Sequence, residues 1–261
     1  MPPCIKIEGG CRLPDPNSDL QRQYIFQGRN AMCGRINLRL SSVELTEFFE
    51  LFREPVWSSP RFNIGPMQRI LAIRQNPDGT RLAEPMQWGL VPSWAKDPSI
   101  GSKMMNARSD TVATKPAFRT AFRHQRCLIP ASGFYEWQKL TTDTKQPWHI
   151  FRKDGQPFAF AGLWEHWQSP GEDALESCSI ITTEANEFME EIHDRMPVIL
   201  SKDDWSMWLD PTYDLPVALT KLLVPCPDGW LEKTAVSTFV NSVKNDSPEC
   251  IRPVHPERTL F

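Results

Sequence analysis

Trp148-His149-Ile150-Phe151-Arg152-Lys153 is a run of strand-forming residues, Asp154-Gly155 interrupts it, and Gln156-Pro157-Phe158-Ala159-Phe160-Ala161-Gly162-Leu163-Trp164 resumes it. Asp-Gly between two such runs closes tight turns, because glycine accepts positive φ without a steric penalty. The stretch therefore reads as a β-hairpin. Upstream, Arg69 to Gln75, the turn Asn76-Pro77-Asp78-Gly79 and Thr80 to Trp88 repeat the pattern. Ser177 to Thr183 is another apolar strand. Helical spacing is confined to short segments. Ser41-Ser42-Val43-Glu44 is a capping box, and Leu45, Phe48, Phe49 and Phe52 follow it at helical spacing. These side chains are assigned to the core of a helix running to about Phe52. Further helical patterns fall at Glu184–Ile192, near Ser201–Leu209 and near Val217–Leu223. Short helices and tightly connected strands favour a mixed α+β domain with largely antiparallel sheet over a βαβ fold.

Composition narrows the class. The 261 residues are 40% hydrophobic and 23% charged, ordinary for a globular protein. No stretch reaches the roughly 20 apolar residues of a membrane span, and the N-terminus lacks the apolar run of an export signal. Seven scattered cysteines without a CxxC pair argue for a reducing compartment and against a disulfide framework or structural zinc. The net charge is −3, but Lys103, Arg108, Lys115, Arg119, Arg123 and Arg126 stand against the single acid Asp110 in one short segment. Such asymmetry is the footprint of a polyanion site, or else a solvated helix face. If the chain after Pro116 is helical, Arg119, Arg123 and Arg126 form one basic stripe, with Phe118 and Phe122 turned to the core. Residues 1–31 are rich in Pro, Gly and polar residues and are expected to be a disordered extension or a mis-assigned start. The folded domain is expected over 32–255, with a short tail at 256–261.

Met32-Cys33-Gly34-Arg35 carries the most distinctive chemistry. As an internal residue, Cys33 is a small buried hydrophobe. At a free N-terminus it presents an α-amine beside a thiol, and that pair captures an aldehyde as a five-membered ring. An α-amine titrates at about 7.7–8.0, so part of it is nucleophilic near neutrality. Two other residues have acid–base character. Glu136 lies among Phe134, Tyr135 and Trp137, a setting that desolvates a carboxylate and raises its pKa. His193 sits beside Glu187, Glu190, Glu191 and Asp194, which favour its imidazolium form. The alternatives are a structural carboxylate paired to an Arg and a histidine capping a helix end.

Four segments taken in order, Met32-Cys33-Gly34-Arg35, Asn106-Ala107-Arg108-Ser109-Asp110, Gly133-Phe134-Tyr135-Glu136-Trp137 and Ile192-His193-Asp194-Arg195-Met196-Pro197, closely resemble the SRAP family, the SOS response-associated peptidases. Trp88-Gly89-Leu90-Val91-Pro92, Pro130-Ala131-Ser132 and Val240-Asn241-Ser242-Val243-Lys244-Asn245 fit the same pattern. The resemblance covers Met32 to about Pro253. It implies a single α+β domain with a barrel-like core of largely antiparallel sheets and short flanking helices. It implies an abasic-site processing protein that crosslinks covalently to abasic single-stranded DNA, or to single-strand/double-strand junctions, through a thiazolidine on Cys33. Glu136 and His193 would then move protons, and Asn106 would hold the target nucleotide. Arg35, Arg108, Lys103, Arg119, Arg123 and Trp94 would contact DNA. Trp94 as a core residue is the alternative. No metal and no cofactor are implied, and the chain is expected to be monomeric, away from membranes, and cytoplasmic or nucleoid-associated, or nuclear in a eukaryote.

The family ordinarily places its cysteine second, whereas 31 residues precede Met32 here. An amide-bonded Cys33 could form only a reversible hemithioacetal. Three readings stay open: a mis-assigned start, removal of the segment by cleavage after Met32 through a self-cleaving peptidase activity, and a noncovalent reader of single-stranded or modified DNA. A cysteine peptidase acting on other proteins through Cys33 and His193 is a further alternative.

Overall fold

The Asp154-Gly155 turn forms, with Gly155 at φ 74°, but the two runs it joins enter different sheets. The computed structural model describes residues 33–255, apart from 59 and 172. The expectations for residues 1–31 and 256–261 lie outside the described residues. In chain order the elements are β1 (Ile36–Leu38), α1 (Ser42–Phe49), β2 (Arg61–Ile64), β3 (Arg69–Gln75), β4 (Arg81–Trp88), β5 (Asn106–Arg108), α2 (Arg119–His124), β6 (Arg126–Ala131), β7 (Gly133–Lys139), β8 (Lys145–Arg152), β9 (Phe158–Trp167), β10 (Leu175–Glu184), α3 (Glu187–Glu190), β11 (Arg195–Pro197), α4 (Trp205–Leu209), α5 (Pro216–Thr220) and β12 (Leu231–Ala235).

Burial explains why β8 and β9 part. Phe158 to Leu163 are all buried on β9, the mark of a strand covered on both faces. It runs antiparallel to β6 and to β10. Together β10, β4, β3, β6 and β9 close a five-stranded barrel, antiparallel except for the β10–β4 pair. Closure removes exposed strand edges. By contrast, β8 pairs with β7 on one side and β12 on the other, in a five-stranded sheet ordered β12-β8-β7-β1-β2. The local turn signal was correct and the pairing inferred from it was not. The mixed α+β class and the barrel core are both as expected.

Other readings divide in the same way. The β3–β4 hairpin forms in full register, Arg69 opposite Gln87 through Gln75 opposite Arg81. The capping box at Ser41 and Glu44 is complete. The helix it starts ends at Phe49, where Glu50 takes a left-handed conformation, so Phe52 lies beyond it and is exposed rather than core. The pattern at Glu184–Ile192 holds only a four-residue helix, because Glu184 still belongs to β10. Phe118, just before α2, and Phe122 within it are buried as expected. The helix stops at His124, and Arg126 opens β6 as a buried residue. Its guanidinium donates to the carbonyls of Trp208, Phe122, Arg123, Asp210 and Tyr213. Arg126 is thus a structural post, and the basic stripe loses its third member.

β10 is long enough to serve four partners. Its first half pairs with β9 and β4, and its second half with β5 and β11. Two of the segments singled out in the sequence, those of Asn106 and His193, therefore meet at one end of the barrel.

Candidate functional site

Cys33 leads into β1, and Glu136 lies on β7, the neighbouring strand. Tyr135 N–H donates to the carbonyl of Arg35, and Ile36 lies opposite Phe134. This register brings the backbone N–H of Cys33 to within 2.5 Å of Glu136 Oε1. Both residues are buried. The nitrogen here is an amide; it stands where the α-amine would be in a chain beginning at Cys33. Burial pushes the Glu136 carboxyl up to about 8, although hydrogen bonds from the Cys33 and Trp137 backbones oppose it. Lys145 also favours the carboxylate, whereas Asp194 disfavours it. Burial raises the Cys33 thiol well above its ordinary range, and the Glu136 charge adds to the rise. A thiol in this setting needs a nearby base to react.

His193 follows α3, and its N–H donates to the carbonyl of Met189. Its ring nitrogen Nδ1 is 2.8 Å from Asp194 Oδ1 and 3.2 Å from the N–H of Arg195. One nitrogen serves only one of these partners, donating to the carboxylate or accepting from the amide. The neighbouring carboxylates alone would favour imidazolium. Instead, burial lowers the His193 pKa, with Lys145 and Arg195 acting in the same direction and Asp194 opposing. Glu136 and His193 therefore feel the same two charges, Lys145 and Asp194.

Asn106 opens β5, opposite Ile180 of β10, and Arg108 lies on the same face two residues on. Arg108 is exposed and forks onto Asp110, with contacts of 3.1 and 2.6 Å. That pairing pulls the Asp110 carboxyl down to about 2. Arg195, on β11, donates to Thr182 at its carbonyl and hydroxyl oxygens, 2.6 and 3.0 Å away. Its Nε is buried without a partner. Arg108, Asp110, Asp194 and Arg195 line a cavity of about 460 Å³. Arg195 is a residue that sequence reasoning passed over, although it sat inside the quoted His193 segment; Lys145 carried no signal at all.

The remaining expected DNA contacts are placed differently. Trp94 is 60% exposed, which excludes the core alternative. Its turn is anchored by Trp167 Nε1 donating to the Ala95 carbonyl at 2.7 Å. Lys103 and Arg119 are exposed. Arg123 is exposed but forks onto Asp214. Arg35 is largely committed to protein, donating to Asn63 Oδ1 and to the carbonyl of Val240. With Asn63, which donates to the Val240, Ser242 and Asn245 carbonyls, it holds the Val240–Asn245 segment rather than projecting freely. Among the described residues, no group of three His, Cys, Asp or Glu side chains is arranged to hold a metal ion.

A closed barrel, a second sheet that buries a Cys–Glu pair, and an Arg-lined cavity together define the class. Residues 32–243 match the family described as SOS response associated peptidase (SRAP), and the chain belongs to that family. It is 45% identical over 222 residues to the abasic site processing protein YoqW of Bacillus subtilis, covering 84% of this chain and 99% of that one. It is 31% identical over 270 residues to the mouse abasic site processing protein HMCES, covering 85% of this chain and 76% of that one. A crystal structure of a protein from Bacteroides thetaiotaomicron superposes with a TM-score of 0.78 at 23% identity, over 85% of this chain and all of the other. That last likeness speaks to the fold alone.

Proposed function

We propose that this protein processes abasic sites in single-stranded DNA, capturing their ring-opened aldehyde on Cys33 once that residue is N-terminal. The single observation that carries the reading is the 2.5 Å contact between the Cys33 nitrogen and a buried Glu136 carboxyl poised near neutrality. A free α-amine at that position would attack the aldehyde carbon to give a carbinolamine. Protonated Glu136 donates to the leaving hydroxyl, water departs, and an iminium forms. The Cys33 thiol then loses its proton to the Glu136 carboxylate, and the sulfur adds to the iminium carbon. This closes a thiazolidine and leaves the nitrogen as a neutral amine. Ring closure is intramolecular, so proximity favours it strongly. A carboxyl with a pKa near the working pH suits both proton transfers.

His193, half-buried and biased towards its neutral form, would take part in proton transfer as the sugar ring opens. Arg108 and Arg195 fit the phosphates flanking the abasic nucleotide, because guanidinium forks match phosphate oxygens. Asn106, beside them on β5, fits the nucleotide itself. Exposed Trp94 fits base stacking. Release of Cys33 by self-cleavage after Met32 is part of this proposal.

The relatives' names, abasic site processing proteins, support the substrate class. The test uses protein whose N-terminus is verified as Cys33 by intact mass. Incubated with abasic single-stranded DNA, it should give a heat-stable shifted band on a denaturing gel, and Cys33→Ser should abolish it. A preparation with a free Cys33 amine and no such band would sink the covalent reading.

A further inference from the structure

Glu136 and His193 sit on different parts of the fold. Glu136 belongs to the five-stranded sheet, whereas His193 lies in the loop between α3 and β11, at the end of the other sheet. Their relative placement requires something that ties the loop to the sheet. The face of the sheet that carries Glu136 supplies it. Gln138 is two residues further along β7 and so shares that face. Trp148 on β8 lies directly opposite Glu136. Lys233 on β12 is two residues from Ala235, which lies opposite Trp148, so it shares the face too.

Two of these side chains reach Glu191, two residues before His193, and Trp148 braces both of them. Gln138 Nε2 donates to the Glu191 carbonyl at 2.8 Å. Trp148 Nε1 donates to Gln138 Oε1 at 2.9 Å, which fixes the amide in that orientation. The Lys233 ammonium binds the Glu191 carboxylate. It also sits 5.3 Å from the centroid of the Trp148 ring and 5.1 Å from that of Phe188, which precedes the loop. A cation between two aromatic faces is held more firmly than an exposed surface pair.

We propose that Gln138, Trp148 and Lys233 form a staple between the sheet and the His193 loop, and act as positioning residues that set His193 against Glu136. The catalytic part of this inference rests on the role proposed for His193 above; the placement itself does not. Contacts to the Glu191 carbonyl and carboxylate fix the loop in a way that side-chain contacts to His193 would not, since the ring stays free to exchange protons. Because the staple is built on the face that bears Glu136, any shift of the sheet carries the loop with it.

The test uses the full chain and two neutral substitutions, Gln138→Ala and Trp148→Phe, which add or remove no charge. Trp148→Phe keeps an aromatic ring beneath Lys233 and removes the Nε1 donor. NMR titration of His193, one of five histidines in the chain, reads the loop directly. Loosening the loop exposes the imidazole, so its pKa should rise towards the ordinary value in either variant, while Lys233→Arg, which keeps the cation, should leave it near wild type. An unchanged His193 titration in both neutral variants overturns the staple. On abasic DNA at saturating concentration, each variant should slow crosslinking about 5–10-fold with unchanged DNA affinity. In a His193→Ala background the same substitutions should cause no further slowing, because effects exerted through one residue are not additive. A drop that persists in that background means that the residues do not act through His193, and overturns the positioning role. If wild-type protein with a free Cys33 forms no crosslink, the proposed function fails, whereas the titration still decides the staple.

Discussion

Glu136 Oε1 lies 2.5 Å from the backbone nitrogen of Cys33, and neither residue is open to solvent. The two are 103 residues apart in sequence. A carboxyl held there serves as acid for the departing hydroxyl and as base for the thiol. Glu136→Gln keeps the shape and a hydrogen-bond acceptor but transfers no proton. The substitution should slow crosslink formation by about 10²-fold or more, with DNA affinity unchanged, as read by single-turnover gel kinetics at saturating abasic DNA. A rate within a factor of three of wild type would remove Glu136 from the chemistry.

The same carboxyl makes a stability prediction with a definite sign. Burial raises its pKa in the folded state from 4.5 to about 8. Below about pH 4.5 both folded and unfolded forms are protonated. As pH rises from there to about 8, the unfolded chain ionises first, and the folded state loses stability relative to it. Glu136→Gln removes that loss, so the variant should gain in Tm over wild type as pH is raised from 5 to 8. A tenfold difference in proton affinity between the folded and unfolded chain is worth about 1.4 kcal/mol, so the full effect is on the order of a few kcal/mol. Thermal unfolding at several pH values tests it; a difference independent of pH would show that Glu136 is not held protonated.

His149 is the opposite case. It is buried on β8, 2.9 Å from Asn37 Nδ2, and its pKa is pushed down to about 3, mainly by burial. Gly133 lies under this pair: a Cβ there would stand 2.3 Å from His149 Nε2. Because the folded pKa is depressed from 6.5, stability is lost as pH falls below about 6.5 and the unfolded chain takes up the proton first. His149→Phe should therefore be less stable than wild type at pH 7.5, since it leaves the Asn37 amide unpaired at a cost of about 1–3 kcal/mol. The gap should narrow at pH 5. Parallel Tm curves for the two proteins between pH 7.5 and 5 would contradict a neutral buried histidine.

Local signals were legible where local physics decides the outcome. The capping box at Ser41 and Glu44 is satisfied within four residues, and the Asn76–Gly79 turn joins strands that have no competing partner on that side. The Asp154-Gly155 turn shows the limit. Turn chemistry sets the chain reversal, but pairing is set by burial, and the all-apolar β9 is drawn into the barrel. Arg126 misled because charge suggests exposure, whereas five backbone carbonyls supply it with acceptors inside. For His193 the neighbouring carboxylates were visible in sequence and its burial was not, and burial dominates. The site residues themselves were legible only as ordered motifs resembling a family; nothing local to Cys33 or Glu136 says that β1 and β7 are neighbours.

The arginines of the basic segment should separate cleanly into binding and structural roles. Arg119 is exposed on α2, with its charge in solvent. If it lies along the DNA path, Arg119→Ala should leave the Tm within about 1 °C, because exposed substitutions shift stability by only about 0.5 kcal/mol. It should also reduce the slope of log affinity against log salt by about 1, as one phosphate contact is lost. Arg126→Met should behave in the reverse manner. It deletes the donors to five backbone carbonyls around Trp208 and Asp210, and orphaned buried acceptors cost about 1–3 kcal/mol each before relaxation. The variant should melt well below wild type, yet at a temperature where it remains folded its salt slope for single-stranded DNA should match wild type. Fluorescence anisotropy titrations at four salt concentrations, together with melting curves, measure both quantities. A salt slope lowered by Arg126→Met in the folded protein would return Arg126 to the DNA-binding surface.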